Sequence, residues 1–334
     1  MIPGAPEQAR WMRAEPRRSL PAPVLQRIAH TAFPGCRVLS SEPLGDGKRN
    51  ANFKLHLDPA PGPVVLRIYE HDPALCQKEI DLMRLVGAAV PVPEVIYAQP
   101  HGWEDLPPFT FTRWIEGITF KELKRSGDAE AIAQAAQAAG EILAAIGSFR
   151  FPKPGWLAPG PNVTSPLLEG ADPTPRFIDL CLAAENLQRR VTAELRDHTH
   201  ALVWSWAPQL ATLDAETSLV HGDFNKRNLL LRPAGGRWRV AAVLDWEFAV
   251  SSSPLADLGS FLRYERAARP VAEPHFSMGY VRAGGRLPHD WLRLARLLNL
   301  VALCESLTHD ELPDDVVAEL VELARATIED RDPE

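Results

Sequence analysis

Three oxygen-bearing side chains are spaced so that they could do chemistry together. Asp223 and Asn228 lie in the segment His221-Gly222-Asp223-Phe224-Asn225-Lys226-Arg227-Asn228, and Asp245 follows seventeen residues later in the box Leu244-Asp245-Trp246-Glu247. Moving a phosphoryl group from a nucleotide to a hydroxyl needs a carboxylate to orient the attacking oxygen, and oxygen ligands to hold Mg²⁺ against the phosphates. Asp223 suits the first task, Asn228 and Asp245 the second. Any one of them alone is as well explained by turn closure or helix capping, which Asp and Asn perform through nearby backbone groups.

For the three to meet, the chain must fold back on itself. Leu229–Leu231 and Trp238–Leu244 are apolar runs on either side of a turn signal at Pro233–Gly236, a pattern that predicts a hairpin. Such a hairpin returns Asp245 to the loop 223–228, so that two ligands distant in sequence can share one cation. Lys226 and Arg227 lie inside that loop, where they could touch a moving phosphoryl group or equally form ion pairs.

Taken together, the His-Gly-Asp segment and the later Leu-Asp-Trp-Glu box resemble the signature of the aminoglycoside phosphotransferase family, the small-molecule branch of the protein-kinase-like superfamily. The resemblance runs from about Leu44 to Leu262 and is sharpest at 219–247. It implies an α+β, protein-kinase-like two-lobed fold. An antiparallel N-lobe would occupy 21–112 and a hinge 113–117, with a helical C-lobe over 118–330, preceded by a basic, Pro-containing arm at 1–20. By the same match Asp223 is the catalytic Asp, Asn228 and Asp245 are the Mg²⁺ ligands, and Asp257, within Ser253–Gly259, braces the catalytic loop. The implied donor is ATP. The implied acceptor is a small-molecule hydroxyl of an aminoglycoside-like compound, an amino alcohol or a sugar, and the family does not choose among them.

The N-terminal half offers a nucleotide site. Leu44-Gly45-Asp46-Gly47-Lys48-Arg49-Asn50 precedes a predicted hairpin of Ala51–Leu57 and Val64–Tyr69. Gly45 and Gly47 fit an ordinary surface turn, but as in the family they stand where a loop would offer backbone N–H groups to phosphates. Side chains alternate along a strand, so Val65 and Arg67 share one face and Leu66 and Ile68 the other. Arg67 sits where kinases carry their phosphate-binding Lys, a departure that a permanently charged guanidinium tolerates. A helix predicted from Asp72, with Pro73 at its first position, places Glu79 in one stripe with Leu75, Leu82 and Val86. A Glu in an apolar stripe needs a cation, and Arg67 is the natural one. Val90–Glu94 and Phe109–Gly117 resemble the family's fourth strand and its strand into the hinge. That match would put the backbone of Arg113 and Ile115 on the adenine edge and Val65 over its ring.

Composition bounds the rest. The chain has 334 residues, 46% hydrophobic, and no apolar run of membrane-spanning length; with no apolar leader in the sequence, the expected location is the cytoplasm. Cys36, Cys76, Cys181 and Cys304 are scattered, which argues against zinc and disulfides. The net charge of −7 is concentrated in 310–334, which hold ten acids and two bases; the rest lacks the basic stripe of a nucleic-acid binder. Glu247, Glu265, Glu273 and Glu305 could favour an amine-bearing acceptor or be ordinary surface charge. Helices are expected at 23–33, 129–146, 176–214, 254–268, 288–308 and 314–330. Phe151–Pro175, with seven prolines, reads as a long loop, a candidate flap. Two rival readings stand beside the enzyme: a kinase-shaped binding module that transfers nothing, and a protein kinase. The intact trio speaks against the first, and the missing Asp-Phe-Gly and Ala-Pro-Glu boxes against the second. Nothing in the sequence bears on oligomeric state.

Overall fold

The computed structural model describes residues 20–44, 50–59, 62–70, 72–265 and 269–330. Most of the predicted arm, and the glycines Gly45 and Gly47, lie outside them. The described chain forms two compact units, one of residues up to 116 together with 158–161, the other of 117–157 and 162–330.

In the first unit, α1 (Ala22–Ala32) leads into β1 (Arg37–Pro43), β2 (Ala51–Asp58) and β3 (Val64–Ile68), followed by α2 (Ala74–Val86), β4 (Val95–Gln99) and β5 (Phe109–Arg113). The five strands make one antiparallel sheet in the order β1-β2-β3-β5-β4. Period-two alternation sets its inner face: Phe53, Leu55 and Leu57 of β2 and Val64, Leu66 and Ile68 of β3 are buried, together with Leu25, Ile28 and Ala29 of α1. Val65 and Arg67 are thereby turned to the opposite face. The helix α2 starts two residues after Asp72, whose Oδ1 accepts the Ala74 N–H at 3.0 Å. The expected strand at Val90–Glu94 is displaced: β4 begins at Val95, because Pro91 and Pro93 have no N–H to give a ladder.

The second unit opens with β6 (Ile118–Thr119), α3 (Phe120–Ser126) and the Ala-rich α4 (Ala129–Gly147), capped by Asp128. Then come β7 (Gly155–Ala158), β8 (Asn162–Ser165), and α5 to α8 at Pro173–Ala183, Glu185–Arg190, Ala193–Ser205 and Ala207–Asp214. The strands β9 (Ser218–Val220), β10 (Leu229–Ala234), β11 (Arg237–Val243) and β12 (Val250–Ser252) follow. Four helices close the chain: α9 (Leu255–Leu262), α10 (His275–Arg282), α11 (Trp291–Leu307) and α12 (Asp314–Glu329). The segment 151–175 is not one long loop. Gly155 and Trp156 pair with Ser251 and Val250, and the Ser251 hydroxyl donates to the Lys153 carbonyl at 2.8 Å, so part of the expected flap is a strand of a sheet. The acidic C-terminal stretch is an amphipathic helix, with Leu320, Leu323 and Ala324 buried.

The hairpin β10–β11 is longer than the sequence suggested. Pro233 pairs with Trp238 and Ala234 with Arg237, leaving a two-residue turn of Gly235 (φ +60°) and Gly236 (φ +75°). Positive φ at both positions is what the tightest hairpin turn demands, and two glycines meet it without strain. No helix among the described residues is long and apolar enough to cross a membrane.

Candidate active site

The loop 221–228 runs out of β9, and its first turn is held by a buried carboxylate. Asp257, in the first turn of α9, accepts the His221 N–H at 2.7 Å and the Gly222 N–H at 3.0 Å. Burial pushes the Asp257 carboxyl up to about 7, and the backbone N–H groups that prefer its charged form pull the other way. Only glycine fits at 222: its φ is +80°, and a Cβ there would lie 2.3 Å from the Phe248 carbonyl oxygen. His221 is wholly buried, and burial lowers its imidazole to about 4. The neutral ring bridges the loop and the hairpin, accepting the Asp223 N–H at Nδ1 (3.2 Å) and donating from Nε2 to the Leu244 carbonyl (3.0 Å).

Two amides fix the Asp223 carboxylate. Asn225 Nδ2 donates to Oδ1 at 2.6 Å, and Asn228 Nδ2 donates to Oδ2 at 2.7 Å and to the Asp223 carbonyl at 3.0 Å. Burial, then the charge of Asp245, raises Asp223 to about 6, while the two amides and Arg263 pull it down. Across the base of the hairpin, the Leu244 N–H donates to the Asn228 carbonyl at 2.9 Å. Asp245, the next residue, has a left-handed φ of +68°, which Asp tolerates better than most side chains. The sequence-predicted trio is therefore brought together within one unit. The Asn228 amide nitrogen is turned to Asp223, and its side-chain oxygen with the Asp245 carboxylate could make an all-oxygen donor set of the kind a hard cation takes.

Lys226 has a different place. Its Nζ donates to the Phe261 carbonyl at 2.7 Å, pairs with Glu265 Oε2 at 3.2 Å, and lies 4.7 Å from the centre of the Phe261 ring. Glu265 also faces Lys124 at 3.9 Å and accepts the Ala272 N–H, and Lys124 donates to the Pro270 carbonyl. Burial lowers the Lys226 ammonium and Glu265 raises it. The loop lysine is thus an anchor into the protein interior.

In the sheet unit, Arg67 and Glu79 meet as the strand and helix periods require: Nη2 to Oε1 at 3.1 Å, with Glu79 buried and its other oxygen accepting the Tyr69 hydroxyl at 2.5 Å. Val65, across from Lys54 and Thr112, is half-buried on the same face. The Arg113 N–H donates to the Glu94 carbonyl at 2.9 Å and its side chain pairs with Glu94 at 2.7 Å. The base-edge role read for the Arg113 backbone is thereby narrowed to its carbonyl.

The residues that the sequence reading missed are Asn225, His221, Lys124 and Arg263. Asn225 and His221 stood in the motif, but nothing in the sequence distinguishes a loop Asn that bonds forward from one that bonds back.

An antiparallel sheet carrying an Arg–Glu pair, and a helical unit in which a loop and a hairpin base converge on an Asp–Asn–Asp set, are the parts of a protein-kinase-like small-molecule kinase. A model described as the phosphotransferase enzyme family matches residues 40–297, and the chain belongs to that family. That family is one of phosphotransferase enzymes. Among solved structures, it is similar to a thermostable mutant of aminoglycoside phosphotransferase APH(4)-Ia in ternary complex with AMP-PNP and hygromycin B. The identity is 18% and the TM-score 0.65, over 92% of this chain and 96% of that one. It is also similar to the GDP and kanamycin complex of APH(2")-IIia, at 18% identity and TM-score 0.68, over 92% and 99%. At that identity these likenesses establish the fold.

Among curated proteins, a stretch of 94 residues is 31% identical to acyl-CoA dehydrogenase family member 11 of Homo sapiens, covering 28% of this chain and 11% of that protein. The Gallus gallus protein of the same name is 49% identical over 45 residues, 14% of this chain and 6% of that one. The matched stretch spans about a tenth or less of those relatives.

Proposed function

We propose that the protein transfers the γ-phosphoryl group of ATP, with Mg²⁺, to a hydroxyl of a small molecule. The observation that carries this reading is the fixed Asp223 carboxylate, held by Asn225 and Asn228 while the Leu244–Asn228 bond holds Asp245 alongside. In this mechanism Asp223 orients the acceptor hydroxyl and takes its proton. Its raised carboxyl makes it a better base than an exposed Asp, and the amides keep it pointed. Asn228 and Asp245 would hold the ion, which when bound supplies charge neutralisation at the phosphates. In the sheet unit Arg67, steadied by Glu79, would carry nucleotide phosphate charge, with Gly45 and Gly47 offering backbone donors, Val65 covering the base, and Ile115 and the Arg113 carbonyl at its edge. His221, Asp257 and Lys226 touch no reactant and hold the loop.

Nucleotide chemistry is supported by the neighbours, whose complexes hold AMP-PNP, ADP or GDP. Four buried free thiols accord with a reducing cytoplasm. The test is a coupled ADP-release screen over aminoglycosides, amino alcohols, sugars, nucleosides and hydroxyacyl thioesters, the last suggested by the names of the curated relatives. Acceptor-dependent ADP release that vanishes in Asp223→Ala supports the enzyme. Tight Mg·ATP binding with no acceptor-dependent release across the panel would favour a binding module.

A further inference from the structure

The helix α9 is tied to the catalytic loop at both ends: Asp257 of its first turn holds His221 and Gly222, and the Phe261 carbonyl of its last turn accepts from Lys226. Arg263 follows immediately as the C-cap, so its backbone is fixed relative to Asp223 by the same bonds. Its side chain is fixed as well. Nε donates at 2.8 Å to Oδ1 of Asn299, which is 6% exposed on α11 among the buried Leu297, Leu300 and Leu303. A buried amide in an apolar helix is costly unless bonded, and the bond that Asn299 makes here is to this guanidinium.

The charge of Arg263 is not spent inside the protein. Among the described residues, no carboxylate stands within ion-pair distance of it, whereas Arg67 is paired with Glu79, Arg293 and Arg296 with Asp330, and Lys226 with Glu265. Its field reaches Asp223 and neighbouring Tyr264, whose surroundings also hold Arg227 and Glu319. Two of the acids read as candidates for an amine are already engaged: Glu265 by the two lysines, and Glu273 by the backbone and hydroxyl of Ser277.

Resting on the phosphotransferase reading above, we propose that Arg263, held by Asn299 beside the catalytic loop, recognises an anionic oxygen group on the acceptor, so that the substrate is a hydroxyl compound bearing a carboxylate or a phosphate. A guanidinium stays charged and presents a planar fork to either group. A polyamine would meet like charge at this position.

Matched acceptors test this on the full chain with Mg·ATP. 3-Hydroxybutyrate is set against neutral 1,3-butanediol and cationic 4-amino-2-butanol, and glycerol 3-phosphate against glycerol, the two sets separating carboxylate from phosphate. Turnover is followed by ADP release, and binding to the AMP-PNP-loaded protein by calorimetry. The expected result is that an anionic member exceeds its neutral partner by about tenfold or more in kcat/KM or affinity. Arg263→Gln should abolish that margin by raising KM while kcat changes little, Arg263→Lys should keep part of it, and Asn299→Leu should reduce it. Melting curves accompany each variant, and the preference of the wild-type protein alone decides the matter if a variant does not fold. Equal use or binding of neutral and cationic partners overturns the proposal, as does failure of every anionic member to bind. A kcat loss shared by all acceptors in Arg263→Gln also overturns it, placing the guanidinium on the transferred phosphoryl group. Failure of the wild-type protein to bind Mg·AMP-PNP would instead sink the phosphotransferase reading.

Discussion

Two cation–carboxylate pairs of similar length, one in each unit, behave differently. Arg67 meets Glu79 at 3.1 Å in the sheet unit, and Lys226 meets Glu265 at 3.2 Å in the helical unit. Lys226 is the one that lies inside the loop 221–228, three residues from Asp223, yet its ammonium is absorbed by Glu265, a carbonyl and an aromatic face. Arg67 is remote in sequence from Asp223, the proposed catalytic residue, and its guanidinium both pairs with Glu79 and lies 5.3 Å from the ring centre of Tyr69. A compact ammonium satisfies itself in one buried nest, whereas a planar fork can serve several partners at once. Nearness to a catalytic residue along the chain says little about what a cation does; the element its side chain faces decides.

If Glu265 with Lys226 braces the loop and Glu79 steadies Arg67, removing Asp223 must outweigh breaking either pair. Asp223→Ala should lower kcat by about two to four powers of ten while leaving the nucleotide Kd unchanged, measured by steady-state kinetics and calorimetry. Next comes Lys226→Met. Breaking a buried pair from one side should cost about 3 kcal/mol in urea unfolding, with nucleotide affinity retained. Unaltered stability with a raised KM for ATP would reverse the roles assigned to the two pairs.

The helical unit also carries an acid sensitivity. His221 is held neutral down to about 4, but the unfolded chain accepts that proton near 6.5, so the histidine's contribution is whole above 6.5 and is lost as pH falls toward 4. Between pH 7 and pH 5 this amounts to about 2 kcal/mol, and the difference should be absent from a folded His221→Gln variant in paired denaturation curves. The smallest effect is expected from Glu79→Gln, which should weaken Mg·ATP binding by about tenfold and leave the turnover of bound nucleotide nearly unchanged. A large kcat loss there would make Glu79 more than a brace.

What was legible in the chain follows from locality. Strand alternation put Arg67 outward, helix periodicity put Glu79 inward, and their meeting required no more than that. The loop–hairpin–Asp spacing was readable because a hairpin is the shortest way to bring two segments together. The direction in which Lys226 points was not, since its partner Glu265 lies beyond three strands and a helix. The short α10 escaped because eight residues with no side-chain cap give little periodic signal, and α3 despite a Thr119–Glu122 capping box that the sequence does display. In 155–165 the abundance of Pro and Gly hid β7, whose pairing comes from β12, and β8 beside it. Arg263 lay outside every motif, and only the bond from a buried Asn on a different helix marks it.

The ribbon of β10 and β11 joins the two proposed ligands at one end and exposes a glycine pair at the other, six residues or about 20 Å away. The spacing of Asn228 and Asp245 is therefore set by the rung at the base and is indifferent to how long the ribbon grows. Extra residues spliced in at Gly235–Gly236 would lengthen a handle without moving the grip, which makes the tip a natural port for a fluorophore or a tether on a working enzyme.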